Sequence, residues 1–318
     1  MRARWLAAGA AITIMPAMLW PASEAYRSQI EEWRRQRETA LKADGGWLTV
    51  TGLFWLHQGA NTFGAGTGHD IELPAGPGVE AGVFELHGGK VMVRLDGRTR
   101  QLRTDAEGQP DAVTMGSLTM FPILRGGQYG IRLKDNNSRL RKEFTGLHYF
   151  PVNEQYRVTT HLIPDAKKIP ILNVLGQVEE TPSPGYVEFE LRGQKLRLTP
   201  VVETPGMLFF IFRDLTAGHE TYGSGRFLDT ELGKDGAVVL DFNKAYNPPC
   251  AFTPYATCPL PPKENRLPVR IEAGELKYAR TEARGARERA TRAGDEGQGL
   301  RAGVLSSTLS ASPVTAGF

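Results

Sequence analysis

The stretch GVFELHGGKVMVRL, residues 82–95, contains two short runs in which apolar and polar side chains alternate. In the second run Val91, Val93 and Leu95 occupy every other position, which is the period of a strand with one buried face. The Gly-Gly pair between the runs supplies the residues that a tight two-residue turn requires. The stretch therefore predicts an antiparallel β-hairpin.

The same signals recur along the chain on both sides of this hairpin. Further predicted strands centre on Tyr129–Leu133, Val187–Leu191, the continuous apolar run Met207–Phe212, Val238–Phe242 and Val269–Ile271. Gly and Pro (36 and 21 residues) together make up about 18% of the 318 residues, against roughly 12% in average proteins. Many turns and many short strands follow from this composition, so we expect a mainly β fold and exclude a long helical bundle.

We predict two β-sandwich or barrel-like domains with one N-terminal helix and a disordered C-terminal tail. The polar turn at 135–138 marks the boundary between the domains, and Ala, Arg, Glu and Gly dominate after about residue 279. The predicted organisation is a signal peptide at 1–25, a helix at 26–44, β domains at 45–137 and 138–278, and a disordered tail at 279–318.

The first 25 residues have the composition of an export signal. Arg2 and Arg4 precede an apolar run that ends near Trp20, and small residues at Ser23 and Ala25 suit cleavage before residue 26. An uncleaved anchor is the alternative. We expect a periplasmic or secreted protein that has no membrane segment beyond this signal.

Charge and motifs exclude several classes of function. The net charge is +3, but both ends of the chain are basic and the body between them is nearly neutral, so we expect no nucleic-acid partner. No phosphate-binding loop, dinucleotide fingerprint or nucleophile elbow is present, and the histidines are scattered. We therefore expect no cofactor and no metal.

Two cysteines, Cys250 and Cys258, bracket a short loop. In an oxidising compartment such a pair forms a disulfide, and we predict a structural disulfide here. A redox or metal-binding pair is the alternative, although the spacing is not C-x-x-C and neither cysteine has a histidine at ligand spacing.

The densest group of polar side chains lies in residues 213–265, where predicted strands end. Loops that leave a rigid β scaffold are the usual place for binding sites. We predict a binding site for a small polar or anionic ligand, and the candidate residues are Arg213, Asp214, Glu220, Tyr222, Arg226, Asp241, Asn243, Asn247 and Asn265. The alternative is that these groups satisfy buried backbone and hold long loops in place.

Three functions follow from these patterns. The first is a small-molecule binding protein. The second is a hydrolase in which Glu220 or Asp241 is the base and Arg226 stabilises an anion; it requires these three side chains to converge on one open cleft. The third is a structural or protein-interaction module, which requires a large exposed apolar patch and no convergent polar pocket.

Several motifs in the second half resemble a bacterial family known as domain of unknown function (DUF) 1684. They are the strings TYGSGRF at 221–227, LDFNKAYNPPCAF at 240–252, CPLPP at 258–262 and ENRL at 264–267, and the likeness extends over roughly residues 30–278. The resemblance implies a shared architecture and motif, and it implies no reaction.

Residues 50–135 also resemble a forkhead-associated (FHA) β-sandwich, in the run from Leu56 to Gly64 and in HDIELP at 69–74. Ala65 stands where that family carries a phosphate-binding arginine, and no Ser-x-x-His follows Pro74. The resemblance therefore implies the sandwich shape without phosphothreonine binding.

Overall fold

The computed structural model describes residues 22–278, and β-structure predominates in it, as the sequence predicts. The helices are α1 (Glu24–Lys42) and α2 (Arg139–Lys142). The strands are β1 (Val50–Trp55), β2 (Gly59–Ala65), β3 (Ile71–Leu73), β4 (Gly82–His87), β5 (Lys90–Leu95), β6 (Arg98–Leu102), β7 (Val113–Met115), β8 (Leu118–Arg125), β9 (Gln128–Asp135), β10 (Arg157–Leu172), β11 (Val178–Leu191), β12 (Gln194–Leu198), β13 (Met207–Phe212), β14 (Arg226–Glu231) and β15 (Ala237–Asp241).

The first nine strands form two sheets that share one core. Their orders are β1-β9-β8-β7 and β3-β2-β4-β5-β6, and only the β2–β3 pair is parallel. The predicted hairpin is confirmed: His87 pairs with Lys90, and Gly88 and Gly89 have φ of 55° and 77°, a conformation that glycine adopts without steric cost. Phe63, Phe84 and residues of β8 and β9 fill the space between the sheets.

The remaining strands form a four-stranded sheet, β12-β11-β10-β15, and the pair β13-β14. A core that includes Phe210, Phe212 and Phe242 lies under them. The prediction that Val269–Ile271 is a strand is wrong: this segment is irregular, although Val269 and Ile271 are buried in the core. Their apolar pattern reflects burial, which period alone does not separate from strand pairing.

Helix α1 matches the helix predicted from the sequence. Ser23 caps its first turn by accepting a hydrogen bond from the Tyr26 amide at 3.3 Å. Ile30 and Leu41 are fully buried, so the sparse apolar stripe faces the protein body. The polar side chains of the helix also contact the body, and two of them matter for the site described below.

Residues 22–277 belong to one compact unit, and the proposed division at 135–138 stays a prediction. Most of the predicted signal peptide, and the tail from residue 279, lie outside the described residues. Within the described range no helix has the length and apolarity needed to span a bilayer.

Candidate functional site

Arg226 and Asp214, two of the predicted ligand-binding residues, form a buried ion pair. Both side chains are 1% exposed, and the Arg226 Nη2 lies 3.2 Å from the Asp214 Oδ1. The same guanidinium donates to the carbonyls of Ile271 and Ala273, and Asp214 accepts from the Ile271 amide at 2.7 Å. The pair therefore holds the irregular segment 269–273 against β14, although the Arg226 Nε has no acceptor among the described residues.

Asp241 and Asn243 fix the N-terminal end of helix α1. The Tyr26 hydroxyl donates to the Asp241 Oδ1 at 2.7 Å, and the Asn243 Nδ2 donates to the Tyr26 hydroxyl at 2.9 Å and to the Asn153 carbonyl at 2.8 Å. Burial and the Asp241 carboxylate raise the pKa of Tyr26 well above its ordinary value, so this hydroxyl stays a donor. These residues join the helix to the sheet and do not face a cleft.

Asn265 and Asn247 satisfy buried backbone groups. The Asn265 side chain bonds the amide and the carbonyl of Thr199 and the carbonyl of Ile211, all within 2.9 Å. The Asn247 amide donates to the buried carboxylate of Glu275 at 2.7 Å, and its Nδ2 donates to the Leu276 carbonyl. Both asparagines are at most 1% exposed, so no ligand reaches them in this structure.

Arg213, Glu220 and Tyr222 lie at or near the surface. Arg213 is exposed, Glu220 forms a 2.6 Å ion pair with Arg270, and the Tyr222 hydroxyl donates to the Cys250 carbonyl. The Arg270 guanidinium holds the pKa of the Glu220 carboxyl below its usual range. The geometric requirement of the predicted hydrolase site is therefore not met, because Glu220, Arg226 and Asp241 occupy three separate environments.

The thiols of Cys250 and Cys258 are not joined in this structure, and the disulfide stays a prediction. The two residues are nonetheless adjacent: the Cys250 amide donates to the Cys258 sulfur at 3.2 Å. A hydrogen bond from Cys258 lowers the pKa of the Cys250 thiol, whereas the pKa of Cys258 is raised.

A cavity of about 700 Å³ lies elsewhere in the unit and contains none of the nine predicted residues. Its volume falls in the range typical of small-molecule sites. It is lined by Trp33, Gln36, Arg37, Ala40, Trp47, Asp105, Arg125, Arg132, Glu203, Phe209, Phe227, Asp229, Tyr246, Pro249, Thr257, Cys258 and Pro259. The cavity thus combines helix α1 and the first sandwich with residues of the second half.

Strand geometry explains how the wall from β13 and β14 forms. Phe227 and Asp229 are two residues apart on β14, so their side chains point to the same face. Phe209 of β13 lies directly opposite Asp229 in the strand register. The Phe209 and Phe227 rings pack edge to face at 4.8 Å between centroids. The Asp229 carboxylate therefore lies beside two aromatic rings.

Arg132 forms the basic wall of the cavity together with Arg125. Arg125 is bound by Asp105 through two hydrogen bonds of 3.0 and 2.6 Å. Arg132 has no such partner: it is 5% exposed, its Nη2 reaches only the Thr257 hydroxyl at 3.3 Å, and its Nε has no acceptor among the described residues. Burial and the Arg125 charge lower the pKa of Arg132.

Glu203 and Asp229 form the acidic wall. Both are reached by solvent from the cavity, yet surrounding protein atoms raise the pKa of each carboxyl, and the Asp229 charge raises that of Glu203 further. Asp229 accepts a 2.6 Å hydrogen bond from the Tyr246 hydroxyl. Glu203 has neither a hydrogen-bond donor nor an ion-pair partner within residues 22–278.

Helix α1 closes one side of the cavity through Arg37. Its Nε lies 3.0 Å from a Glu275 oxygen and its Nη2 donates to the Asn247 carbonyl. Its guanidinium also stacks over the Tyr246 ring, 4.6 Å from the centroid. The Arg37 charge is therefore compensated within the protein, which leaves Arg132 as the cation of the cavity that no carboxylate of the described residues pairs with.

Sequence reasoning missed the charged walls of this cavity. Arg132 occupies the polar face of β9, which the alternating pattern assigned to solvent, and Glu203 lies in a Pro-Gly turn. The structure instead places the segment 250–258 over that face of β9, with the Thr257 hydroxyl accepting hydrogen bonds from both Arg125 and Arg132. One signal in the sequence did point to the cavity: Thr257 and Cys258 belong to the polar 213–265 stretch, and both line the cavity.

Comparisons with known proteins find similarity over part of the chain. The solution NMR structure of an uncharacterized protein from Haloarcula marismortui is 31% identical, over 43% of this chain and 78% of that chain, with a TM-score of 0.37. No curated protein matches. The model of a family described as protein of unknown function, DUF1684, matches residues 142–276. Over residues 142–276, the chain therefore belongs to the DUF1684 family.

Proposed function

We propose that this protein binds a small polar ligand with an anionic group, and that the ligand occupies the 700 Å³ cavity between the walls described above. The observation that carries the proposal is Arg132, a buried guanidinium that lines the cavity without a carboxylate partner in the described residues and with a free Nε donor.

An unpaired buried cation is costly, because removal from water is not repaid by a counter-charge. An anionic ligand in the cavity would supply that counter-charge to the guanidinium. The planar guanidinium suits a carboxylate or phosphate, which it binds through two parallel hydrogen bonds. The aromatic side chains around it, including Trp47 at 5.4 Å from the Arg132 guanidinium carbon, suit an apolar body on the same ligand.

The two alternative functions have less support. The hydrolase that uses Glu220 or Asp241 with Arg226 lacks a common cleft for these residues. The interaction module is favoured by exposed apolar side chains at the tip of the β10–β11 hairpin, including Leu175 and Val178. An interaction module requires the absence of a convergent polar pocket, however, and the cavity is such a pocket.

Export to the periplasm or the medium is a further proposal, based on the signal-like first 25 residues. The intact mass of the protein recovered from each cell fraction tests it. Recovery outside the cytoplasm with a mass that starts at Tyr26 is the expected result. A full-length chain confined to the cytoplasm would contradict it.

Thermal-shift screening with carboxylates, organic phosphates and acidic sugars tests ligand binding. Anionic compounds should raise Tm in the wild type, and Arg132→Met should weaken their binding by about 10- to 100-fold, since a hydrogen bond to a charged group contributes roughly 1.5–3 kcal/mol. Arg103→Met is the matched control, because Arg103 is an exposed arginine paired with Asp111 on the same sandwich. Equal binding by both variants would refute the proposal.

A further inference from the structure

The acidic wall of the cavity lacks a counter-charge. Glu203 and Asp229 line the same cavity, the Asp229 charge raises the pKa of Glu203, and neither carboxylate forms an ion pair in the described part of the chain. Arg125 and Arg37 lie nearby, but their guanidinium groups are bound by Asp105 and Glu275 respectively. Two neighbouring carboxylates in a recess are stabilised by a cation that enters between them.

We infer that the ligand is zwitterionic, with its anionic group on Arg132 and an ammonium group at Glu203 and Asp229. This inference rests on the proposed function, because it assigns the second pole of the ligand that occupies the same cavity. Among the residues that the structure describes, the cavity then presents one cation and two carboxylates without an ion-pair partner to a molecule that carries both signs of charge.

The surroundings of the two carboxylates favour an organic ammonium group. Phe209 and Phe227 lie beside Asp229 through the strand register, and aromatic faces attract organic cations. A hard metal ion would need more oxygen ligands than this wall supplies. Within residues 22–278 no group of three metal-ligating side chains occurs.

Solvent access gives the two poles different roles. Arg132 is 5% exposed and its position is fixed by the Thr257 hydroxyl and the Trp47 ring. Glu203 and Asp229 are open to the cavity. A ligand therefore contacts a rigid, largely desolvated anion site at one end and a hydrated pair of carboxylates at the other. The hydrated carboxylates contribute more to the selection of an amine over other ligands than to the total binding free energy.

Calorimetric titration with three matched series of compounds tests this inference on the full chain. The first series consists of zwitterions, namely phenylalanine and the unbranched ω-amino acids from glycine to 6-aminohexanoate. The second series lacks the amine (3-phenylpropionate and the fatty acids from acetate to hexanoate), and the third lacks the carboxylate (phenethylamine and the alkylamines). The best zwitterion should bind at least about tenfold more tightly than its counterpart without the amine.

Variants separate this inference from the proposed function. The double variant Glu203→Gln, Asp229→Asn should lose the preference for the amine and keep the binding of simple carboxylates. Glu190→Gln, an exposed carboxylate on β11, should leave the preference unchanged. Equal binding of zwitterions and simple carboxylates would overturn the inference while the anion site stands. Failure of both series to bind, or binding of zwitterions that Arg132→Met does not weaken, would overturn both.

Discussion

Replacement of Arg226 by Met should destabilise the protein strongly without touching the cavity. The substitution removes three hydrogen bonds, to Asp214 and to the carbonyls of Ile271 and Ala273, and leaves the Asp214 carboxylate 1% exposed without its cation. Removing one partner of a buried ion pair costs about 3–5 kcal/mol. The total stability of a domain is roughly 5–15 kcal/mol, so a large share would be lost.

Urea unfolding followed by circular dichroism measures this loss, and a double-mutant cycle shows its origin. Asp214→Asn with Arg226→Met removes both charges, so the double variant should be less destabilised than the sum of the single changes, by about 1 kcal/mol or more. Arg226→Lys keeps the charge and provides a folded comparison if the Met variant does not fold.

If Arg226→Met unfolds within about 0.5 kcal/mol of the wild type and yet loses ligand binding, Arg226 contacts a ligand, as the sequence analysis predicted. The interpretation of the polar stretch as a structural network would then be wrong for its most buried member.

Four further changes have defined outcomes. Asn265→Ala should cost about 2–4 kcal/mol in urea unfolding, because three buried backbone groups lose their partner; no loss would show that they find other partners. In the unprocessed chain, which keeps residues 1–25, Ser23→Ala should lower the free energy of unfolding by about 1 kcal/mol through the lost helix cap, and an unchanged unfolding midpoint would contradict the cap. Cys250 should be alkylated at lower pH than an ordinary thiol, while Cys258 resists alkylation. Peptide mass spectrometry measures both rates, and equal alkylation rates would refute the lower pKa of Cys250. Glu203→Gln should be more stable than the wild type at pH 7, and the difference should vanish on acidification. Surrounding protein atoms and the Asp229 charge raise the pKa of Glu203 above its ordinary 4.5. The favourable contribution of the protonated carboxyl is therefore complete below pH 4.5 and is lost as pH rises through the raised value. A stability difference that widens in acid would contradict this prediction.

Local patterns predicted the hairpins well, because their determinants are adjacent in sequence. Gly88-Gly89 and Gly126-Gly127 each turn the chain between strands whose alternation is visible. Strand β10 was not predicted, since most of its residues are exposed and it includes two prolines, Pro164 and Pro170. It forms because β11 and β15 pair with it on either side, which is information that a local window does not contain.

The candidate site was predicted less well for a related reason. Asp214 and Arg226 are conspicuous because polar residues after buried strands are costly unless paired, but the sequence does not show that they pair with each other. Arg132 is inconspicuous because alternation assigns it to solvent. Its burial depends on the loop 250–258, more than a hundred residues away in sequence, lying across β9.

The side-chain Nε–H resonances of Arg132 and Arg226 distinguish the two possible sites most directly. Both Nε atoms are buried and have no acceptor among the described residues, so each resonance would report an anionic group bound beside its own guanidinium. During NMR titration with the tightest anionic ligand, the Arg132 resonance should shift to saturation while that of Arg226 stays in place. A shift of Arg226 with Arg132 unchanged would show that the ligand binds in the polar network and not in the cavity.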